Sequence, residues 1–319
     1  MKVLVAYDGS ECSDVAIDDL GRAGLPGMGE AILLEVMEPV AELMDSPYAG
    51  VTTTIGWCGC SEQAVKELTE RETEESQVEV AGAARRLRGV LPDWWIRTEV
   101  RTGHPMTAIL KKADEWKPDL IVLGSHGRTG LDRMVMGRVS MGVLHHALTS
   151  VRICRGGRTP NNQPEAQPGK PIRLLVGVDA SAHAAAAVRA IATRRWRVGT
   201  QVQVVGVVET RLPLAGTAAA WGGIMEVEVY AKIREEISRA VAEAARELSA
   251  AGLDVRQEVT SGQAGKILVG EAQKWQADCV FVGARGIGSL RRIFAGSVSS
   301  AVASHAHCSV EVVRSETDF

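Results

Sequence analysis

Cys279-Val280-Phe281-Val282 runs straight into Gly283-Ala284-Arg285-Gly286, then nine residues, 287 to 295, and then Gly296-Ser297-Val298. The first four residues read as a short strand buried on both faces. After Gly296-Ser297, Val298, Ala301, Val302 and His305 recur at helical spacing. The loop therefore leaves the carboxyl end of a strand and enters a helix N-terminus. There several backbone N–H groups lack helical partners and the dipole places about half a positive charge, so the position favours anions. Glycines let the backbone come close to a bound group, and Ser297 offers a hydroxyl. The plainer alternative makes them turn glycines, with Ser297 an ordinary N-cap.

The arrangement occurs twice. Leu120-Ile121-Val122-Leu123 precedes Gly124-Ser125-His126-Gly127, nine residues, and Gly137-Arg138, each glycine 159 positions before its counterpart. The same offset relates Gly103 to Gly262 and His146 to His305. Leu4-Val5-Ala6-Tyr7-Asp8-Gly9-Ser10 matches Leu175-Val176-Gly177-Val178-Asp179-Ala180-Ser181 at an offset of 171. The chain is a tandem duplication. Its 319 residues suit two domains at roughly 150 residues each.

Both halves resemble domains of the universal stress protein family, whose adenine-nucleotide-binding members carry Gly-x-x-Gly, nine residues, then Gly-Ser or Gly-Thr. The resemblance covers nearly the whole chain. The second half carries the pattern in full, and the first departs from it at Arg138. The resemblance implies that ATP, with or without Mg²⁺, or another adenine nucleotide is bound. In the second half Gly283, Gly286, Gly296, Ser297 and Val298 would hold phosphates, with Asp179 near the nucleoside and the Val207 backbone at the adenine. In the first half Asp8, Val36, Gly124, Gly127, Gly137 and Arg138 take those places. Arg138 either replaces the hydroxyl contact or fills the phosphate pocket. Without the resemblance, Asp8 and Asp179 read as turn or capping carboxylates. The resemblance further implies that the fifth strands of two domains pair, within one chain or between chains.

Working outward from the loops, each half reads as βαβαβαβαβ, a doubly wound parallel five-stranded sheet, and the resemblance implies that it is of Rossmann-like, adenine-nucleotide alpha-hydrolase-like type with the two halves pseudo-two-fold related. The expected domains are residues 1–156 and 172–319, joined by a linker, 157–171, rich in proline and without apolar periodicity. Strands are expected at Val3–Tyr7, Ala31–Met37, Ile96–Val100, 120–123 and Val151–Cys154, and at Arg173–Val178, Val202–Val208, Val255–Thr260, Cys279–Val282 and Val310–Val313. Ser61–Val90 and Met225–Ala251 read as long charged helices. Pro105 opens a helix running through Trp116, and Ser10 or Ser13 caps the first helix. The first half carries 12 extra residues between Asp8 and Gly124, assigned to 38–60, and Ala215–Gly223 reads as a surface loop.

Hydrophobic residues make up 45% and charged residues 24%, ordinary for a globular protein, and the net charge of −3 gives no electrostatic case for nucleic acid. No apolar run approaches the roughly 20 residues that span a bilayer. Met1-Lys2-Val3-Leu4-Val5 enters a strand without signal-peptide anatomy, so a cytoplasmic location is the expectation. Cys58 and Cys60 form the one close cysteine pair, too few ligands for a structural zinc site. His145, His146, His305 and His307 sit where histidines cap helix C-termini. Gly262-Gln263-Ala264-Gly265-Lys266-Ile267 fails the phosphate-binding P-loop spacing, and Gly124, Gly127 and Gly130 fail the dinucleotide fingerprint. Three function classes remain: a stress-response regulator that binds adenine nucleotide and signals to an unknown protein partner, a nucleotide-independent scaffold, and a slow ATPase or autophosphorylating protein. The last lacks an evident carboxylate cluster for Mg²⁺.

Overall fold

The computed structural model describes residues 1–38, 62–127, 136–156, 170–209, 222–286 and 295–315. The extra segment with Cys58 and Cys60, the linker core and most of the Ala215–Gly223 loop lie outside them. The first half runs β1 (Lys2–Tyr7), α1 (Glu11–Asp19), β2 (Glu30–Met37), α2 (Glu62–Val90), β3 (Trp95–Thr102), α3 (Pro105–Trp116), β4 (Leu120–Gly124), α4 (Arg138–His146) and β5 (Ser150–Cys154). The second repeats it: β6 (Arg173–Val178), α5 (Ala182–Ala192), β7 (Gln201–Val208), α6 (Gly222–Ala250), β8 (Asp254–Ser261), α7 (Ala264–Trp275), β9 (Cys279–Gly283), α8 (Ser297–His305) and β10 (Ser309–Val313).

Within each half the strands are parallel, in the order 3-2-1-4-5 and its equivalent. The two five-stranded sheets expected from the sequence are joined edge to edge by the pairing of fifth strands that the resemblance implies. β5 pairs antiparallel with β10, giving a continuous ten-stranded sheet, β3-β2-β1-β4-β5-β10-β9-β6-β7-β8. Both long sides of β5 and β10 are occupied within the chain, so whole-chain association through these strands requires this ladder to open.

Continuous apolar strands such as Leu120–Leu123 and Cys279–Val282 form because helices cover both faces of the sheet. On one face α3, α4, α7 and α8 lie over a single core that includes Leu4, Ile121, Ile153, Val280, Val302 and Val310, spanning both halves. On the other face the cores are separate, with α1 and α2 over Val3, Val5 and Val122 and α5 and α6 over Leu174, Val176 and Phe281. Ser10 caps α1 by accepting from the Ser13 N–H, and Ser181 caps α5 by accepting from the Ala184 N–H. Lys117 and Gln276, 159 positions apart, both close their helices in the left-handed conformation at φ 51° and 56°. Among the described residues no helix is long and apolar enough to cross a membrane.

Candidate functional site

Each half brings its loop glycines to the carboxyl end of its central strands, where the order reverses around β1–β4 and β6–β9. The glycines have separate reasons to be glycine. A Cβ on Gly124 would stand 2.7 Å from the Cys12 backbone of α1, and one on Gly283 would stand 2.6 Å from the His183 backbone of α5. These first glycines let the preceding helix close on the strand. A Cβ on Gly127 would come within 2.7 Å of Asp8 Oδ2, and one on Gly286 within 2.7 Å of Asp179 Oδ2. The aspartate after the first strand and the second glycine of the motif are thus in contact in both halves.

The nine-residue loops are closed at their base. The Gly137 N–H donates to the Ser125 carbonyl at 2.8 Å, and the Gly296 N–H donates to the Ala284 carbonyl at 2.7 Å. The Gly296 amide expected to face a phosphate is therefore already committed. Ser140 donates its hydroxyl to the Gly124 carbonyl at 2.8 Å, and Ser299 donates to the Ala284 carbonyl at 3.0 Å. These two serines, 159 positions apart, pin helix to loop. Reading the sequence for contact residues overlooked them, although the repeat offset marks them.

Gly137 and Gly296 are the N-caps of α4 and α8, and neither helix has a side-chain cap. Ser297 is the first helical residue and not the cap, because its glycine neighbour takes the extended conformation at φ −68°, ψ 164°. Its exposed hydroxyl has no hydrogen bond among the described residues. Arg138 occupies the equivalent first helical position, exposed, with no ion pair among the described residues. A cation there opposes the helix dipole. By contrast α1 and α5, in the same halves, start with serine caps. The N–H groups of the first turns, Arg138 to Ser140 and Ser297 to Ser299, are those that lack helical acceptors.

Asp8 accepts from the Ser10 N–H at 3.1 Å and from its hydroxyl at 2.6 Å, and Asp179 accepts from the Ser181 N–H at 3.0 Å. Both thus make the turn contact that the plain reading gives them, while their second oxygen faces the glycine. The registers Tyr7–Glu35 and Val178–Gly206 bring Val36 beside Asp8 and Val207 beside Asp179. A cavity of about 600 Å³, walled by Met37, Thr102, His104 and Lys111, opens on the far side of β2 from the glycine loop.

The other titratable candidates are committed elsewhere. His146 and His305 each donate Nδ1–H to the carbonyl four residues back, Gly142 at 2.9 Å and Ala301 at 2.8 Å. Among the described residues no group of three or more His, Cys, Asp and Glu could hold a metal ion. Cys154, Cys279 and Cys308 are free and buried, and burial pushes the Cys279 thiol up to about 12 and the other two upward as well.

The sequence model of the universal stress protein family matches residues 1–155 and 172–314. A universal stress protein of Synechocystis is 31% identical over 158 residues, 48% of this chain and 96% of its own length. One of Mycolicibacterium smegmatis is 25% identical over 320 residues, 98% of this chain and 96% of its own. The crystal structure of a universal stress protein from Archaeoglobus fulgidus superposes with a TM-score of 0.62 at 19% identity, covering 98% of both chains, which shows the common fold.

Proposed function

We propose, from the premise that this chain belongs to the universal stress protein family and carries its domain twice, that it is a stress-response regulator that binds ATP or another adenine nucleotide in one or both halves. The observation that carries this reading is the pair of helices, α4 and α8, that follow the glycine motifs at the carboxyl ends of β4 and β9 and begin on glycine without a side-chain cap. A helix start without such a cap suits an anion, which satisfies the orphan N–H groups and the dipole together. In the second half the first-turn amides and the Ser297 hydroxyl would face the phosphates, with Asp179 and Val207 lining the nucleoside end. In the first half the Arg138 guanidinium, a good phosphate partner, stands in place of the hydroxyl.

ATP fits this donor set because the donors are amides, a hydroxyl and a guanidinium, all of which favour anionic oxygen. The reading is one of binding, with a change in shape or partner as its output. The decisive experiment is to purify the protein without added nucleotide, denature it, and quantify adenine nucleotide per chain by chromatography. About two per chain supports both sites and one supports a single half. None, together with no heat of binding on adding ATP, removes the nucleotide reading and leaves a scaffold.

A further inference from the structure

The two halves meet along β5 and β10, and the centre of that meeting is charged. The register sets Ile153 against Val310, Arg152 against Glu311 and Val151 against Val312. Arg152 and Glu311 lie 159 positions apart, the offset of the repeated glycines. They are the same position of the repeat, they face each other, and the pseudo-two-fold axis passes between them. Both side chains are 1% exposed.

Arg152 Nη1 donates to Glu311 Oε2 at 3.0 Å, and its Nε donates to Asp19 at 2.7 Å. The Glu311 carboxylate is also held by Arg194, whose Nη1 lies 2.8 Å away and whose Nη2 donates to the second oxygen. Arg22 bridges Asp19 and Asp278 at the rim. The cluster draws on both halves.

Away from the axis the repeat keeps a serine, Ser150 and Ser309, and an arginine, Arg155 and Arg314, in both halves. The Arg155 N–H donates to Ser309 Oγ at 3.2 Å, and the Arg314 N–H donates to Ser150 Oγ at 3.1 Å. Arg155 Nη2 reaches the Ala303 carbonyl at the end of α8 at 2.6 Å, and Arg314 Nη2 reaches the Leu144 carbonyl at the end of α4 at 3.1 Å. Such off-axis contacts can be made twice by two identical surfaces. A residue on the axis cannot do this, because in a pairing of like halves it meets its own copy. Arg152 would meet Arg152, or Glu311 would meet Glu311, out of water: each would keep only the counter-ion of its own half, Asp19 or Arg194, lose the bond across the seam, and face a like charge directly opposite.

We propose that the β5–β10 interface is a pairing surface keyed by charge, which accepts the unlike half of the repeat and rejects the like half. A second copy of this chain can then use the surface only by exchanging unlike halves. This depends on the interface alone and not on nucleotide binding.

The test uses three full-length variants. With Glu311→Arg every pairing of the two halves, within or between chains, opposes arginine to arginine. With Arg152→Glu every pairing opposes glutamate to glutamate. Each alone is expected to lose soluble single-chain protein or to melt at least about 10 °C lower than the parent. Co-expressed, the two variants restore an unlike charge pair across chains and are expected to give a soluble two-chain particle by light scattering. Glu311→Gln removes the charge without adding a like one, and should remain a single chain with a smaller loss of melting temperature. The proposal is overturned if Glu311→Arg alone melts like the parent, if it forms a stable dimer with itself, if it behaves no worse than Glu311→Gln, or if co-expression yields no two-chain particle.

Discussion

At the scale of single residues, position in the helix decides what Ser297 and Arg138 contribute. Ser297 follows the N-cap, so Ser297→Ala should leave the melting temperature within a degree or two of the parent. If the hydroxyl bonds an ionised phosphate, the same change should weaken binding by about ten- to a hundredfold, the equivalent of roughly 1.5–3 kcal/mol. Calorimetric titration with ATP and a thermal melt on the same sample check both. Arg138→Ala should show opposite signs: a ligand-free protein stabilised by about 0.3–1 kcal/mol, since a cation leaves the positive end of the dipole, and weaker binding in the first half. Equal binding with and without Arg138 would place that arginine outside the site. The conserved spacing of glycines within the chain made these positions visible in the sequence. The division of labour among them was not visible, because Gly124 and Gly283 answer to helices α1 and α5, whose approach no local pattern encodes. The commitment of the Gly296 amide to Ala284 is likewise a contact that closes the whole loop at its base, which spacing alone cannot reveal.

At the scale of elements, the first helix of each half is capped and the last is not. Ser181→Ala should cost about 1 kcal/mol of stability, visible in chemical denaturation, and it also releases the Arg285 carbonyl of the glycine motif, which the hydroxyl bonds at 3.3 Å. Gly283→Ala should cost more, about 1–3 kcal/mol, because the new methyl meets the His183 backbone at 2.6 Å and not a side chain that can swing away. The elements themselves were legible: β6 spans Arg173–Val178 and α3 spans Pro105–Trp116 as their periodicity and the N1 proline indicate. Ends were less so. The last helix of the first half stops at His146, because Ala147 turns extended at ψ 140°. That turn is imposed by the need to enter β5 in register with β4, a tertiary demand absent from helical spacing.

At the scale of the whole molecule, the joint between halves sets the response to acid. Burial alone would raise the carboxyls of Asp19 and Glu311, but Arg152 beside Asp19 and Arg194 with Arg152 beside Glu311 hold both below their ordinary values. A carboxylate depressed in the folded state contributes stability that is fully present above its unfolded value, about 3.9 for Asp and 4.3 for Glu, and is lost as pH falls through the lower folded value. Melting temperature should therefore hold from neutral pH to about 4.5 and then fall steeply, and Glu311→Gln should flatten that fall. The sequence announced a duplication and suggested that fifth strands pair, but it gave no sign that Arg152 and Glu311 face each other, since opposite charges 159 residues apart carry no local signature. The antiparallel seam has one more consequence. Strands β1 to β5 and β6 to β10 run in opposite senses, so their carboxyl ends, and the two glycine loops with them, open at opposite poles of the sheet. The molecule is bipolar: a body that covers one candidate site leaves the other uncovered.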